Sequence, residues 1–308
     1  MEEKRIKAVK LDTMNGEVTL WSLCGESSLP ILEAGFEAIG LGRYTPEGQT
    51  QNAAMKAALT KYFGRASGNG YEVDTVPDTT DTFAVTKVTS EKKNGVYVPV
   101  HDCLYIVKPP LSGRWFPFID PNTGDVVEPN DLVYRGTPSL TRGDAIRQEY
   151  WRQMDVVPRS KLASCLKKIA VDHLGGVTVR QKGGGVYWLS EDKLPIWEKV
   201  AIVLGAAELT ENSENRIFGL STCITERTVE ALCAALTAQV ETEMNASDER
   251  IRSGKLGKKA LTTVSKEADD LRQKVRDYSY LLGTALDTLE SRIETTDAAA
   301  AVAAMACL

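Results

Sequence analysis

The clearest periodicity lies toward the C-terminal end of the chain. Leu261, Val264, Ala268, Leu271, Val275, Tyr278, Leu282, Ala285 and Leu289 recur at spacings of three and four. That is an a/d seam sustained for roughly four heptads. Val229, Leu232, Leu236, Val240 and Met244 carry the same period ahead of it. The pattern predicts two long antiparallel helices over 225–296, joined near Ser253–Gly257, with Gly254 suited to a left-handed C′ position. Four alanines within 231–238 leave the first arm short of large apolar residues. Part of the seam therefore needs cover, either from the body of the chain or from a second subunit.

Upstream the period changes. Ile6, Val9 and Leu11 approach Asn15-Gly16, and Val18, Leu20 and Leu23 leave it, which reads as a hairpin over 4–24. Helices are expected over about Leu29–Leu41 and from a Thr45 cap with Pro46 in the first turn to Phe63. Residues 64–94 are polar and read as a loop with short strands. Val96–Val107 alternates as a strand and stops at Pro109-Pro110. Asp120-Pro-Asn-Thr-Gly-Asp125 is a turn between two extended pieces.

In the middle, Thr141-Arg-Gly-Asp144 has the form of a capping box. Ile146, Tyr150, Met154 and Val157 follow on one helical face. Pro158 restarts a helix carrying Leu162, Leu166, Ile169 and His173, which Gly175-Gly176 stops. A hairpin over Val177–Gln181 and Val186–Leu189 comes next. A helix from about Asp192, apolar nearly all round, is expected to be buried. After a polar linker at 207–215, Ile217–Leu220 is a further candidate strand. The fold class is α+β. It has a mixed N-terminal domain (1–135), a winged-helix-like centre (140–206) and a C-terminal helical hairpin or coiled-coil tail (216–308).

Composition narrows the chemistry. There are 37 Lys+Arg against 42 Asp+Glu in 308 residues, a formal charge of −5, so no global attraction to nucleic acid is expected. Only two histidines are present, which leaves no multi-histidine metal site. No two of the six cysteines lie at a zinc-ligand spacing, and scattered thiols fit a reduced, cytoplasmic setting. No secretory leader and no membrane-spanning run is read. No cofactor is expected, since no phosphate loop occurs. His101-Asp102-Cys103 places His and Cys on one face of a strand without a third partner, so it reads as structural. His173, on an apolar helical face, reads as a core histidine. Asp120, Asn122 and Asp125 miss the spacing of a calcium loop.

The candidate binding surface is local. Arg159, Lys161, Lys167, Lys168, Arg180 and Lys182 face one acid, Asp172, between 158 and 182, so six cations less one acid give +5. Helix, turn, helix and hairpin follow one another here in the order of a winged helix-turn-helix, a module that neutralises phosphates with such residues. Duplex DNA is one expected partner. The other reading is a solvated face that contacts protein. An a/d seam that long serves either an intramolecular core or self-association.

GGGVYWLSEDKLPIWEKV (183–200), followed by helices containing YSYLLGTALDTLESRI (278–293), resembles uncharacterised proteins of bacteria and their phages that carry a Gly-Gly-Val-Tyr hairpin before a coiled-coil tail. The resemblance implies a bacterial or phage origin and no named activity. Altogether, the sequence reads as a non-enzymatic binding protein. It would contact nucleic acid through the basic segment and itself or a protein through the tail. The alternative is a structural or regulatory protein–protein interaction protein.

Overall fold

A computed structural model describes residues 14–63, 71–93, 96–111, 113, 115–129, 142–180, 185–209, 214–223, 225–253, 256–282 and 286–306. The architecture is mixed α and β. Strand β1 is Met14–Ser22, β2 Glu26–Ser28, and helix α1 Leu29–Ala38; α2 is Gln51–Phe63. Strands β3 (Tyr71–Thr75), β4 (Phe83–Lys93), β5 (Val96–Val107), β6 (Phe118–Ile119) and β7 (Val126–Val127) follow. Next come α3 (Arg142–Met154), β8 (Val156–Pro158), α4 (Arg159–Lys168), β9 (Val177–Arg180), β10 (Val186–Ser190), α5 (Leu194–Ala206) and β11 (Arg216–Cys223). Helices α6 (Glu226–Arg252), α7 (Lys258–Leu282) and α8 (Asp287–Ala306) close the chain.

One antiparallel sheet, in the order β11-β1-β10-β9, holds cores on both faces. Successive residues of a strand point to opposite faces, and β10 uses both. Tyr187 and Leu189 pack with Leu32, Phe36, Leu162, Leu166, Trp197 and Leu204 of α1, α4 and α5. Trp188 packs on the other side with Val177 and the helices α6, α7 and α8. Each indole finds a hydroxyl: Trp197 Nε1 donates to Thr19 Oγ1 at 2.8 Å and Trp188 Nε1 to Thr222 Oγ1 at 2.9 Å. A third core joins Met55, Leu59 and Phe63 of α2 and Ile146 and Tyr150 of α3 to the sheet β3-β4-β5-β6-β7.

The expected hairpin at Asn15-Gly16 is not formed. Both residues lie inside β1, which pairs with β10 on one side and β11 on the other. Gly16 serves a close approach instead of a turn. A Cβ there would collide with the Trp188 ring and the Leu189 carbonyl oxygen. Ile6, Val9 and Leu11 lie outside the described residues. Gly16→Ala is therefore expected to cost about 1–3 kcal/mol through overpacking. A lowered thermal midpoint checks this; an unchanged one would show that the strand yields freely.

Other differences have local causes. Helix α2 begins at Gln51, not at Pro46, with Thr50 Oγ1 accepting from Ala53 N at 3.3 Å as the cap. β4 runs for 11 residues through a segment too polar to signal a strand, because its outer half is exposed on both faces. Pro158 caps α4 from β8 and is not its first helical residue. The Thr141 cap lies outside the described residues. The helix over 194–206 is only half buried: Trp197, Val200, Val203 and Leu204 are covered, whereas Ile202 is 72% exposed. The β9–β10 hairpin is no free-standing wing, since β1 pairs with β10 along the other edge.

The tail has three helices where two were expected. α7 stops at Leu282 and α8 starts at Asp287. The sequence between them holds Gly283, a poor helix former. Leu261, Val264, Ala268, Leu271, Val275, Tyr278 and Leu289 are all buried. Leu286, just ahead of α8, Leu289 and Ile293 of α8, Leu232, Leu236 and Val240 of α6, and the sheet residues Val177 and Trp188 share the core with that seam. The missing cover is thus supplied from within the chain.

Candidate nucleic-acid interface

Helix α4 presents the basic segment. Leu162, Cys165, Leu166 and Ile169 are buried at helical spacing, which fixes the opposite side toward solvent. Arg159, Ser160, Ser164, Lys167 and Lys168 are exposed. Lys161 and Lys168 share a stripe, and Lys167 lies about 100° round from Lys168 at 3.6 residues per turn. Lys167 and Lys168 stand in the last turn, where the helix dipole favours cations. Among the described residues no carboxylate lies within ion-pair distance of Arg159, Lys167 or Lys168. Lys161 is tied down, since its Nζ donates to Gly48 O at 2.6 Å. The Arg180 side chain and Lys182 lie outside the described residues.

The helix ends in a wide turn, Ile169–His173, closed by Leu174 N donating to Ile169 O at 2.9 Å. Gly175 then takes φ +70°, which favours glycine. Two α7 side chains hold this turn from the far side. Lys274 Nζ donates to Gly176 O at 2.6 Å, and Tyr278 OH donates to Gly175 O at 3.1 Å. Burial pushes the Lys274 ammonium down to about 8, against the opposing pull of Glu243 and Asp172. Burial likewise raises the Asp172 carboxyl, and Lys274, Lys167 and Lys168 offset part of that.

The turn also gathers residues that sequence spacing could not place. Arg43, in the 3₁₀ turn Gly42–Tyr44, lies 3.3 Å (Nη2) from His173 Nδ1 and donates to Tyr44 OH at 2.9 Å. The Tyr44 and His173 rings are 5.4 Å apart. His173 is therefore partly exposed beside cations, not enclosed in the core. Burial lowers its pKa, and Arg43 and Lys193 lower it further, so the imidazole is neutral near pH 7. Cys165 underlies the same turn, its Sγ donating to Tyr44 O at 3.0 Å. Burial pushes that thiol up to about 12, so it holds no thiolate and serves the packing.

Arg43, Lys167, Lys168, Lys193 and Lys274 thus surround Asp172 and His173. Lys193 is paired with Asp192 at 2.8 Å. Exposed cations next to a tyrosine and a neutral histidine suit phosphate contact with an aromatic surface alongside.

The other sequence candidates stay apart from this surface. On β5, His101 Nδ1 sits 3.7 Å from Glu72 Oε2, and burial raises the Cys103 thiol. Asp120 Oδ1 accepts from Asn122 N at 2.7 Å, which is turn chemistry. Among the described residues no group of three or more His, Cys, Asp or Glu is placed to hold a metal ion. None of the described helices is long and apolar enough to cross a membrane.

The model of a family of unknown function (DUF6744) matches residues 135–306, more than half of the chain. That span holds α4, its terminal turn and the three C-terminal helices. No curated protein and no solved structure matches the chain.

Proposed function

We propose, for a chain that belongs to the DUF6744 family of unknown function, that it binds nucleic acid without catalysing a reaction. The contact is made by the exposed side of α4 and the turn that ends it. The observation that carries this reading is the gathering of Arg43 and Lys193 beside His173, and of Lys167 and Lys168 beside the adjacent Asp172, from three separate segments. Duplex DNA is the first partner to test. Helices α3 and α4 and the β9–β10 hairpin keep the chain order of a winged helix, with α4 in the recognition position. Because β10 lies inside the sheet, Arg43 and Lys193 take over the backbone contacts that a free wing would make. Arg159 and Lys161 stand at the start of the helix, and Arg180 and Lys182, read from sequence, complete the proposed set.

Fluorescence anisotropy with a labelled duplex at two salt concentrations tests the reading. Lys167→Glu/Lys168→Glu is expected to weaken binding at least tenfold for all sequences, and to flatten the salt dependence by about two in log–log slope. No binding by the parent protein, or binding that the double variant leaves unchanged, overturns it.

A second reading rests on the β4–β5 ribbon. Over 89–93 on β4 and 96–99 on β5 it is exposed and clear of the core, with Val96 and Tyr97 66% and 70% exposed. A two-stranded ribbon in water is marginal on its own. In this reading the ribbon is seated on a protein partner and the protein is a regulatory or structural interaction module.

A further inference from the structure

We infer that the free edge of β11 is a self-association surface, on which a second copy of the chain pairs antiparallel with its own β11. The other sheet edges are short, covered or blunted. β9 has four residues and α6 packs beside it. β7 has two. β3, at the other end of that sheet, has five residues with Glu72 and Asp74 among them, and α2 packs beside it. The β4–β5 ribbon carries Pro99 on β5 and Glu91, Lys92 and Lys93 on β4. Proline and charge are the ordinary protections of an edge. β11 has no proline, and its only charge lies at its first residue. Its eight residues, RIFGLSTC, contain one charge, Arg216, which is already paired with Glu214. β1 takes one side of the strand, and no described strand takes the other. A row of outward N–H and C=O groups is left as a template for one more strand.

The side chains say which strand fits. Val186, Leu20 and Phe218 lie opposite one another across three strands, and Val18 lies opposite Leu220. This apolar ladder runs off the β11 edge with Phe218 and Leu220 44% and 62% exposed. Antiparallel pairing of two β11 strands about Gly219 sets Phe218 of each copy opposite Leu220 of the other. Ile217 meets Ser221 and Arg216 meets Thr222, so no like charges oppose. A shift by one residue in each copy, to Phe218 opposite Phe218, would set Leu220 against Arg216. The first register continues the ladder across the two-fold axis and makes one eight-stranded sheet. The buried a/d seam of the tail is not required for this assembly.

Sedimentation equilibrium of the full chain over a wide concentration range tests the inference, with a monomer–dimer equilibrium as the expected result. Leu220→Lys and Phe218→Lys are each expected to weaken the dimer at least tenfold with the circular dichroism spectrum unchanged, since both side chains are already exposed. Mixing Phe218→Cys with Leu220→Cys under oxidising conditions is expected to yield the mixed disulfide in preference to either symmetric one. A parent chain that is monomeric at every concentration overturns the inference. So does a dimer that neither lysine variant weakens, or a mixture without excess mixed disulfide. None of these outcomes depends on nucleic-acid binding, which α4 and its turn provide.

Discussion

Leu271→Asp is expected to destabilise the chain by about 3–5 kcal/mol, because it buries a carboxylate without a partner. Leu271 is 4% exposed and packs in the core that α6, α7 and α8 form with Trp188 and Val177. The residues it packs among are apolar, and Lys274, three residues further along α7, is already engaged with Gly176 O. The loss should extend beyond α7, since Trp188 and Tyr278 meet edge to face at 5.8 Å across the same core. Denaturant unfolding followed at the helical signal and by tryptophan fluorescence checks this. The midpoint should fall in both probes together and should not vary with protein concentration. A concentration-dependent midpoint would mean that the seam is covered by a second subunit instead of α8 and the sheet.

The tail also shows where sequence reading succeeds and where it stops. Spacings of three and four mark Leu261 to Leu289 as a buried stripe, because a helix repeats every 3.6 residues whatever covers it. The same argument puts a strand over Val96–Val107, which the structure matches to the residue. Periodicity carries no information about the covering surface, so neither α8 nor the sheet behind α7 could be read from it. Asn15-Gly16 failed for a related reason. A glycine needed for positive φ and one needed to clear the Trp188 ring look alike in sequence, and the partner is 172 residues away in the chain. Around the candidate site, the basic run on α4 was legible as local charge. Arg43, Lys193 and Lys274 were not, because their positions depend on three separate segments closing on one turn. Cation next to aromatic, as in Arg43-Tyr44, was the one local signal that could have drawn attention to the first of them.

The second large effect concerns a buried ion network that ties α2, α3 and β2 together. Glu149 sits on α3 with a side chain only 5% exposed. Lys61 of α2 reaches its Oε2 at 2.7 Å, and Arg152 Nη2 and Gln153 Nε2 reach its Oε1 at 2.6 and 2.8 Å. Arg152 and Gln153 also bond Glu26 of β2, at 2.8 and 3.1 Å. Burial alone would raise the Glu149 carboxyl, but these hydrogen bonds and the Arg152 charge hold it from its ordinary 4.5 down to about 2. A folded-state pKa below the unfolded one means stability that is fully present above pH 4.5 and is lost as pH falls toward 2. Its size follows from the shift, on the order of 3 kcal/mol. Glu26, also lowered, adds in the same direction. Glu149→Gln is therefore expected to lose about 2–3 kcal/mol at pH 7, since Lys61 and part of Arg152 are left without their carboxylate. The difference between variant and parent should shrink below pH 4.5 and approach zero as pH falls toward 2. Chemical denaturation from pH 7 to pH 2.5 measures both curves. Parallel curves, with the same difference at every pH, would show that the carboxylate charge contributes nothing and that Glu149 acts only by its shape and its neutral hydrogen bonds.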